Sequence, residues 1–172
     1  MLLPFYQDKI TEAGCDEAGR GCFAGPVFAA AVILPVNFHH PLLNDSKLLS
    51  ENHRNQLRPV IEREAVSYAV ASIDNEEIDQ INILKASFKA MHLALDNLKK
   101  RPQLLLIDGN RFIAYKKIQQ QCFVKGDSRF ASIAAASILG NTYRVDWSHQ
   151  LYRQIPYQIR DRNKGDDTAN TL

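Results

Sequence analysis

Short apolar segments divide the chain into predicted strands. Thr11 to Cys15 is a brief run before an acidic turn, and Val27 to Leu34 is a longer run closed by Pro35. Val66 to Ile73 alternates between apolar and polar positions, which is the period of a strand with one buried face. Turn-forming residues between 37 and 47 predict a loop there.

Other segments carry the helical period. Glu51 to Glu64 is predicted to be helical, with Pro59 kinking the helix or delaying its start. Asp74 followed by Glu77 is typical of a helix start. Ala131 to Leu139 is a further helical run. A stripe of apolar residues, three or four positions apart, predicts one long helix with a buried face: Ile78, Ile81, Leu84, Phe88, Met91, Leu95 and Leu98.

Strands interleaved with helices predict an α/β fold, with a central mixed sheet flanked by helices. The 172 residues, 45% of them hydrophobic, are enough for one well-formed core and too few for two. We therefore expect a single domain over residues 1–172, with its core at about residues 10–152.

Charge and cysteine content set limits on partners and compartment. The formal net charge is +2, so a nucleic-acid-binding surface would have to be local. Cys15, Cys22 and Cys122 are odd in number and lack zinc spacing, which favours a reducing cytoplasm. No apolar run approaches membrane-spanning length. We expect a cytoplasmic monomer without a membrane partner.

The first candidate for chemistry is the pair Asp16 and Glu17, which stands directly before Gly19, Arg20 and Gly21. Adjacent carboxylates repel each other unless a cation lies between them, and their hard oxygen atoms suit Mg²⁺ or Mn²⁺. Glycine lets a ligand approach the main chain closely. This fragment alone is equally consistent with an ordinary acidic strand end followed by a turn.

Two further acids follow predicted strands. The apolar run from 103 to 107 ends in Asp108, and a second short run, Cys122 to Val124, leads to Asp127. Each is compatible with a simple turn. Ligand sites in α/β sheets form where strand ends gather, so Asp16, Glu17, Asp108 and Asp127 are predicted to converge. Four acids without clustered histidine or cysteine favour a two-metal site for phosphoryl transfer, as in a nuclease or phosphatase.

Several motifs, taken together, carry a family resemblance. The chain resembles ribonuclease HII, the type 2 ribonuclease H, in its bacterial form. The motifs, in the family's order, are Asp16 to Gly21, Ala24 to Val27, Leu43 to Lys47, Ile78 to Leu84, Ile107 to Asn110, Lys125 to Asp127 and Ser132 to Leu139.

The resemblance implies a ribonuclease H-like fold and an endonuclease that cleaves the RNA strand of RNA–DNA hybrids. It also implies incision at single ribonucleotides in duplex DNA, which is the first step of ribonucleotide excision repair. Products would end in 3′-hydroxyl and 5′-phosphate, and the cofactor would be Mg²⁺ or Mn²⁺. Asp16, Glu17 and Asp108 match the family's metal ligands, and Asp127 matches its fourth catalytic carboxylate.

The resemblance also implies substrate-binding residues. Gly19, Arg20 and Gly21 match the turn that senses the ribose 2′-hydroxyl, the group that separates RNA from DNA. Lys47 matches a phosphate contact. Two alternatives stay open from the residues themselves: Arg20 as a salt-bridge partner of the neighbouring acids, and Lys47 as a solvated loop lysine.

The carboxyl-terminal part departs from the family pattern. Gly140 is a poor residue for a helix interior and predicts fraying or bending there. Asn141 replaces a phosphate-contacting lysine, Val145 replaces an acid, and Asp166 stands where the family has a stacking tyrosine. Residues 153–172 thus form a divergent, shortened tail.

An active nuclease is predicted because all four acids are present. Two alternatives remain: a catalytically impaired module that binds RNA–DNA hybrids, and another nuclease of the ribonuclease H-like superfamily.

Overall fold

A computed structural model of the chain describes residues 1–19, 25–43 and 49–154. Within these ranges the strands are interleaved with helices, which confirms the predicted α/β class. The elements are β1 (Glu12–Ala18), β2 (Val27–Ile33), α1 (Glu51–Glu64), β3 (Ser67–Ile73), α2 (Asn75–Ile81), α3 (Ile83–Asp96), β4 (Leu104–Asp108), β5 (Gln119–Phe123) and α4 (Ala131–Gln154).

The described strands form one mixed sheet in the order β3-β2-β1-β4-β5. β1 pairs antiparallel with β2, and β2 pairs antiparallel with β3. On its other side β1 is parallel to β4, which is parallel to β5. The carboxyl ends of β1, β4 and β5 therefore meet at one edge of the sheet.

Helices cover both faces of the sheet. α3 buries Phe88, Met91 and Leu95 against alternate residues of the central strands. On the opposite face, α4 and α1 share a second core that includes Leu57 and Ile138. Alanine-rich stretches in β2 and α4 are fully buried, and their small side chains let the helix lie close to the sheet.

Local capping explains where the helices begin. The Ser50 side chain accepts a hydrogen bond from the His53 backbone N–H, so α1 starts at Glu51. Pro59 lies inside this helix and does not delay its start. The Asp74 side chain accepts from the Glu77 backbone N–H, which confirms the predicted helix start.

The prediction of one long helix after Asp74 was wrong. Asn82 has a φ of 75° and separates α2 from α3. Its side chain accepts a hydrogen bond from the Lys85 backbone N–H and so caps the start of α3. The apolar stripe continues across the break, because Ile78 and Ile81 also pack against the core under α3.

The predicted fraying at Gly140 was also wrong, because α4 continues to Gln154. Gly140 is buried, and a Cβ atom built there would lie 3.7 Å from the Ala18 Cβ. Gly14 differs, because a Cβ atom there would lie 2.3 Å from the Ser132 carbonyl carbon of α4. Tertiary packing on β1 therefore outweighs the low helix propensity of Gly140.

Substituting these two glycines is expected to have opposite effects on the free energy of unfolding. Gly140→Ala fits the available space and should stabilise the protein by about 0.5–1 kcal/mol through reduced chain entropy. Gly14→Ala should destabilise it by about 3 kcal/mol, because its Cβ meets backbone that cannot rotate away. Urea unfolding of both variants measures this; equal destabilisation by the two substitutions would contradict the packing described here.

Candidate active site

Asp16 and Glu17 lie within β1, which extends past the predicted end at Cys15 to Ala18. Side chains alternate along a strand, so the two acids point to opposite faces. Asp16 lies on the α4 side with Gly14 and is 6% exposed. Its Oδ1 accepts a hydrogen bond of 2.8 Å from the Glu17 backbone N–H. Glu17 lies on the α3 side and is partly exposed.

Asp108 is the last residue of β4 and lies beside Asp16. The parallel register pairs Cys15 with Ile107, so the next residue of each strand is an aspartate. The two carboxyl groups are close enough that each affects the pKa of the other. The sequence prediction that these strand ends converge is matched by this geometry.

Asp127 reaches the same edge from β5, the neighbour of β4. It lies in a single 3₁₀ turn, Gly126–Ser128, which links β5 to α4. Its backbone N–H donates to the Asp108 Oδ1 at 3.4 Å, and its side chain is buried. Lys125, with a φ of 55°, redirects the chain into this turn.

This crowding changes the acidity of the carboxyl groups. Burial, followed by the negative charges of Asp108, Glu17 and Asp127, holds the pKa of Asp16 well above its ordinary value. Burial and the charge of Asp127 also raise the pKa of Asp108, although hydrogen bonds from the backbone of Asp127 and Gly126 and from Asp16 oppose the shift. A cation at this edge would relieve the repulsion.

The donor set suits a hard divalent cation, since it consists of carboxylate oxygen atoms. Among residues 1–19, 25–43 and 49–154, however, no three His, Cys, Asp or Glu side chains stand as a ready ligand group. Strand alternation contributes to this spacing, because it turns Glu17 away from Asp16.

A cavity of about 180 Å³ opens on the α3 side of the acidic edge, the end of the sheet where Asp16, Glu17, Asp108 and Asp127 lie. Glu17 and Asp108 line it together with Ser87 of α3 and with Asn110 and Arg111 of the loop after β4. Glu17 and Asp108 thus face a polar cavity with room for part of a nucleotide.

Gly19 follows β1 with a φ of 91°, a conformation that favours glycine. A Cβ atom there would lie 2.9 Å from Arg144 Cδ and 3.0 Å from the Pro26 carbonyl oxygen. Gly25 has a φ of 138°, and a Cβ atom there would meet the Trp147 ring. Arg144 and Trp147 lie one turn apart on α4, and they therefore pack against Gly19 and Gly25, respectively.

Three predicted substrate-binding residues, Arg20, Gly21 and Lys47, lie outside the described residues, as does Asp166. The Asn141 side chain donates a hydrogen bond to the Ser137 carbonyl oxygen of its own helix, at 2.9 Å. No helix in the described part of the chain is both long and apolar enough to cross a membrane.

A family model described as Ribonuclease HII matches residues 13–171. The chain belongs to the ribonuclease HII family. It is 59% identical to the ribonuclease HII of Bacteroides fragilis over 165 residues, which cover 96% of this chain and 82% of that protein. The resemblance and the enzyme class inferred from the motifs are confirmed.

Solved structures confirm the ribonuclease H-like fold. Ribonuclease H2 from Pyrococcus horikoshii OT3 superposes with a TM-score of 0.73 at 22% identity, covering 90% of this chain and 84% of that one. Bst-RNase HIII in complex with Mn²⁺ gives a TM-score of 0.66 at 22% identity, covering 84% of this chain and 55% of that one.

Sequence reasoning missed Arg144 and Trp147. A signal for Arg144 was present: it stands four residues after Gly140, so it shares the helix face that packs on β1. Arg111 and Asn110 were also missed as lining residues, because the loop after β4 has no periodicity of its own.

Removing one charge from the acidic edge is expected to stabilise the fold. Asp16→Asn keeps an oxygen that can accept from the Glu17 N–H but removes a buried negative charge. Because burial and the charges of Asp108, Glu17 and Asp127 disfavour the charged form of Asp16, we expect the free energy of unfolding to rise in EDTA. Calorimetry at neutral pH measures the change, and a lower melting temperature would contradict the described repulsion.

Gly19→Ala is expected to lower ribonuclease activity about 10-fold or more, because the new Cβ meets Arg144 and a backbone oxygen and strains a positive φ. The matched control is Gly140→Ala, which adds the same methyl group where space exists. Initial rates of both variants, compared with the wild-type rate, test the point. Full activity of Gly19→Ala would show that this conformation is unimportant.

Proposed function

We propose that this ribonuclease HII cleaves the RNA strand of RNA–DNA hybrids and incises duplex DNA at embedded ribonucleotides. Hydrolysis would leave a 3′-hydroxyl and a 5′-phosphate, and the reaction would begin ribonucleotide excision repair. The observation that carries the proposal is the meeting of Asp16, Asp108 and Asp127 at one sheet edge, with Glu17 beside them.

Asp16, Glu17, Asp108 and Asp127 would hold Mg²⁺ or Mn²⁺. Support comes from the carboxylate donor set and from the pKa values of Asp16 and Asp108, which burial raises first and neighbouring negative charges raise further. A bound divalent cation would supply Lewis acidity, lowering the pKa of water and neutralising charge on the scissile phosphate. The solved Bst-RNase HIII, which shares the fold, is a complex with Mn²⁺.

The chain's own groups would then orient the substrate. Asp108 accepts the Asp127 backbone N–H, so the two acids keep a fixed relation, and the partly exposed Glu17 lies beside them. Gly19 follows β1 with a positive φ, and its lack of a side chain leaves room for Arg144 and the Pro26 carbonyl oxygen. Together with Arg20 and Gly21 it would sense the 2′-hydroxyl, and Lys47 would contact phosphate.

We also propose that residues 1–172 form one ribonuclease H type 2 domain that works as a monomer in the cytoplasm. One sheet with helices on both faces supports the single domain. The similarity to a bacterial ribonuclease HII supports the compartment, because bacterial DNA lies in the cytoplasm.

The test is cleavage of duplex DNA that carries one ribonucleotide, with Mg²⁺ or Mn²⁺ and an all-DNA control. The intact chain is expected to cut only at the ribonucleotide. Asp108→Asn should lower the rate about 10³-fold or more, since its charge is removed from the reacting centre. Asp79→Asn, an exposed position on α2, is the matched control and should retain activity.

Other outcomes identify the alternatives. Tight hybrid binding without turnover by the folded wild-type protein would favour the impaired binding module. Cleavage that ignores the 2′-hydroxyl would favour another nuclease of the ribonuclease H-like superfamily.

A further inference from the structure

The amino-terminal arm, defined here as residues 1–11, is hydrogen-bonded to the segment that joins the Asp127 turn to α4. The Leu3 N–H donates to the Arg129 carbonyl oxygen at 2.8 Å. The Leu3 carbonyl oxygen accepts from the Ala131 N–H at 2.9 Å. The arm is therefore hydrogen-bonded to the residues on either side of Phe130. It also accepts the Ala131 backbone N–H, which has no partner within α4 because it lies at the start of that helix.

Tyr6 adds an aromatic contact at the same place. Its ring lies edge-on to Phe123, with centroids 5.2 Å apart, and to Phe130, with centroids 5.9 Å apart. Phe123 ends β5 and Phe130 precedes α4, and their own centroids are 4.6 Å apart. Three rings thus close the base of the loop that carries Asp127.

Glu12 fixes the arm to β1. Its side chain is 8% exposed, and its two carboxylate oxygen atoms accept the backbone N–H groups of Tyr6, at 2.9 Å, and Gln7, at 2.5 Å. Glu12 begins the strand that carries Asp16, four residues away on the same face. The arm consequently bridges the strand of one catalytic candidate and the turn of another.

The turn transmits the position of Phe130 to Asp127. The backbone N–H groups of Phe130 and Arg129 both donate to the Gly126 carbonyl oxygen at 2.9 Å. Asp127 follows Gly126 directly, and its own N–H reaches Asp108. A shift of Phe130 would therefore displace the Asp127 carboxylate relative to Asp108.

We propose that the amino-terminal arm is a positioning element for the active site, and that the Tyr6 ring sets the place of Asp127. The inference rests on the proposed role of Asp127 as a metal-holding carboxylate. The arm lies before residue 13, where the family match begins. Tyr6 acts through Phe123 and Phe130 and is not assigned any contact with substrate.

Tyr6→Ala tests the inference, because Tyr6 is 41% exposed and is not one of the buried core residues. We expect kcat on the ribonucleotide-containing duplex to fall about 10-fold through misplacement of Asp127, while KM changes less than about 2-fold. The increase in melting temperature caused by Mn²⁺ alone should shrink, since weaker ion binding stabilises the fold less. Tyr6→Phe should restore kcat and the Mn²⁺ effect, because the ring makes both contacts.

Tyr68→Ala is the control: it removes an aromatic side chain that is less exposed than Tyr6 and packs against the second core, from β3, the outermost strand on the side of the sheet away from β5. It should lower the melting temperature yet keep kcat and the Mn²⁺ effect. Glu12→Gln is a second test, since it removes the charge that holds the arm; it should reproduce the loss of kcat at unchanged KM.

Wild-type kcat and Mn²⁺ response in both Tyr6→Ala and Glu12→Gln would overturn the inference. So would a loss in Tyr6→Ala that Tyr68→Ala matches, because that result denotes general destabilisation. A wild-type protein that does not cleave would instead reject the proposed function, and it is recognised before any variant is compared.

Discussion

The close approach of α4 to β1 at Gly14 is the contact on which the rest of the site depends. A side chain there would meet the backbone of Ser132 at 2.3 Å, so strand and helix touch main chain to main chain. Asp16 lies two residues beyond this contact, and Asp127 lies four residues before α4 begins. The distance between these acids is therefore set by how deeply α4 is seated, and glycine permits that depth.

Close seating has an electrostatic cost. It buries Asp16 beside Asp108, and burial with mutual repulsion raises the pKa of both groups. Apolar or neutral residues at the positions of Asp16 and Asp108 would give a more stable fold, because they avoid the cost of burying charge. The proposed metal site requires negative charge here, so the hydrophobic cores on the two faces of the sheet must offset the free energy that these buried charges cost.

The departures from the family pattern have different physical weight. Gly140 is accommodated because α4 packs against Ala18, and tertiary contact outweighs helix propensity. The Asn141 side chain donates a hydrogen bond to the Ser137 carbonyl oxygen of its own helix, so its amide has a local partner. The amino-terminal arm lies outside the family match, yet it contacts the turn that holds Asp127.

The sequence by itself determined the α/β class and most strand and helix positions, because side-chain periodicity and capping residues act over a few residues. Its local motifs also singled out Asp16, Glu17, Asp108 and Asp127 as candidate metal ligands, a role that stays a prediction. The sequence did not determine that β1 continues through Asp16 and Glu17, that Asn82 divides a helix, or that Arg144, Trp147 and the arm adjoin the site. Strand order, register and the seating of α4 decided those features. They arise from contacts between residues far apart in the chain, and local patterns carry no information about which distant surfaces fit together.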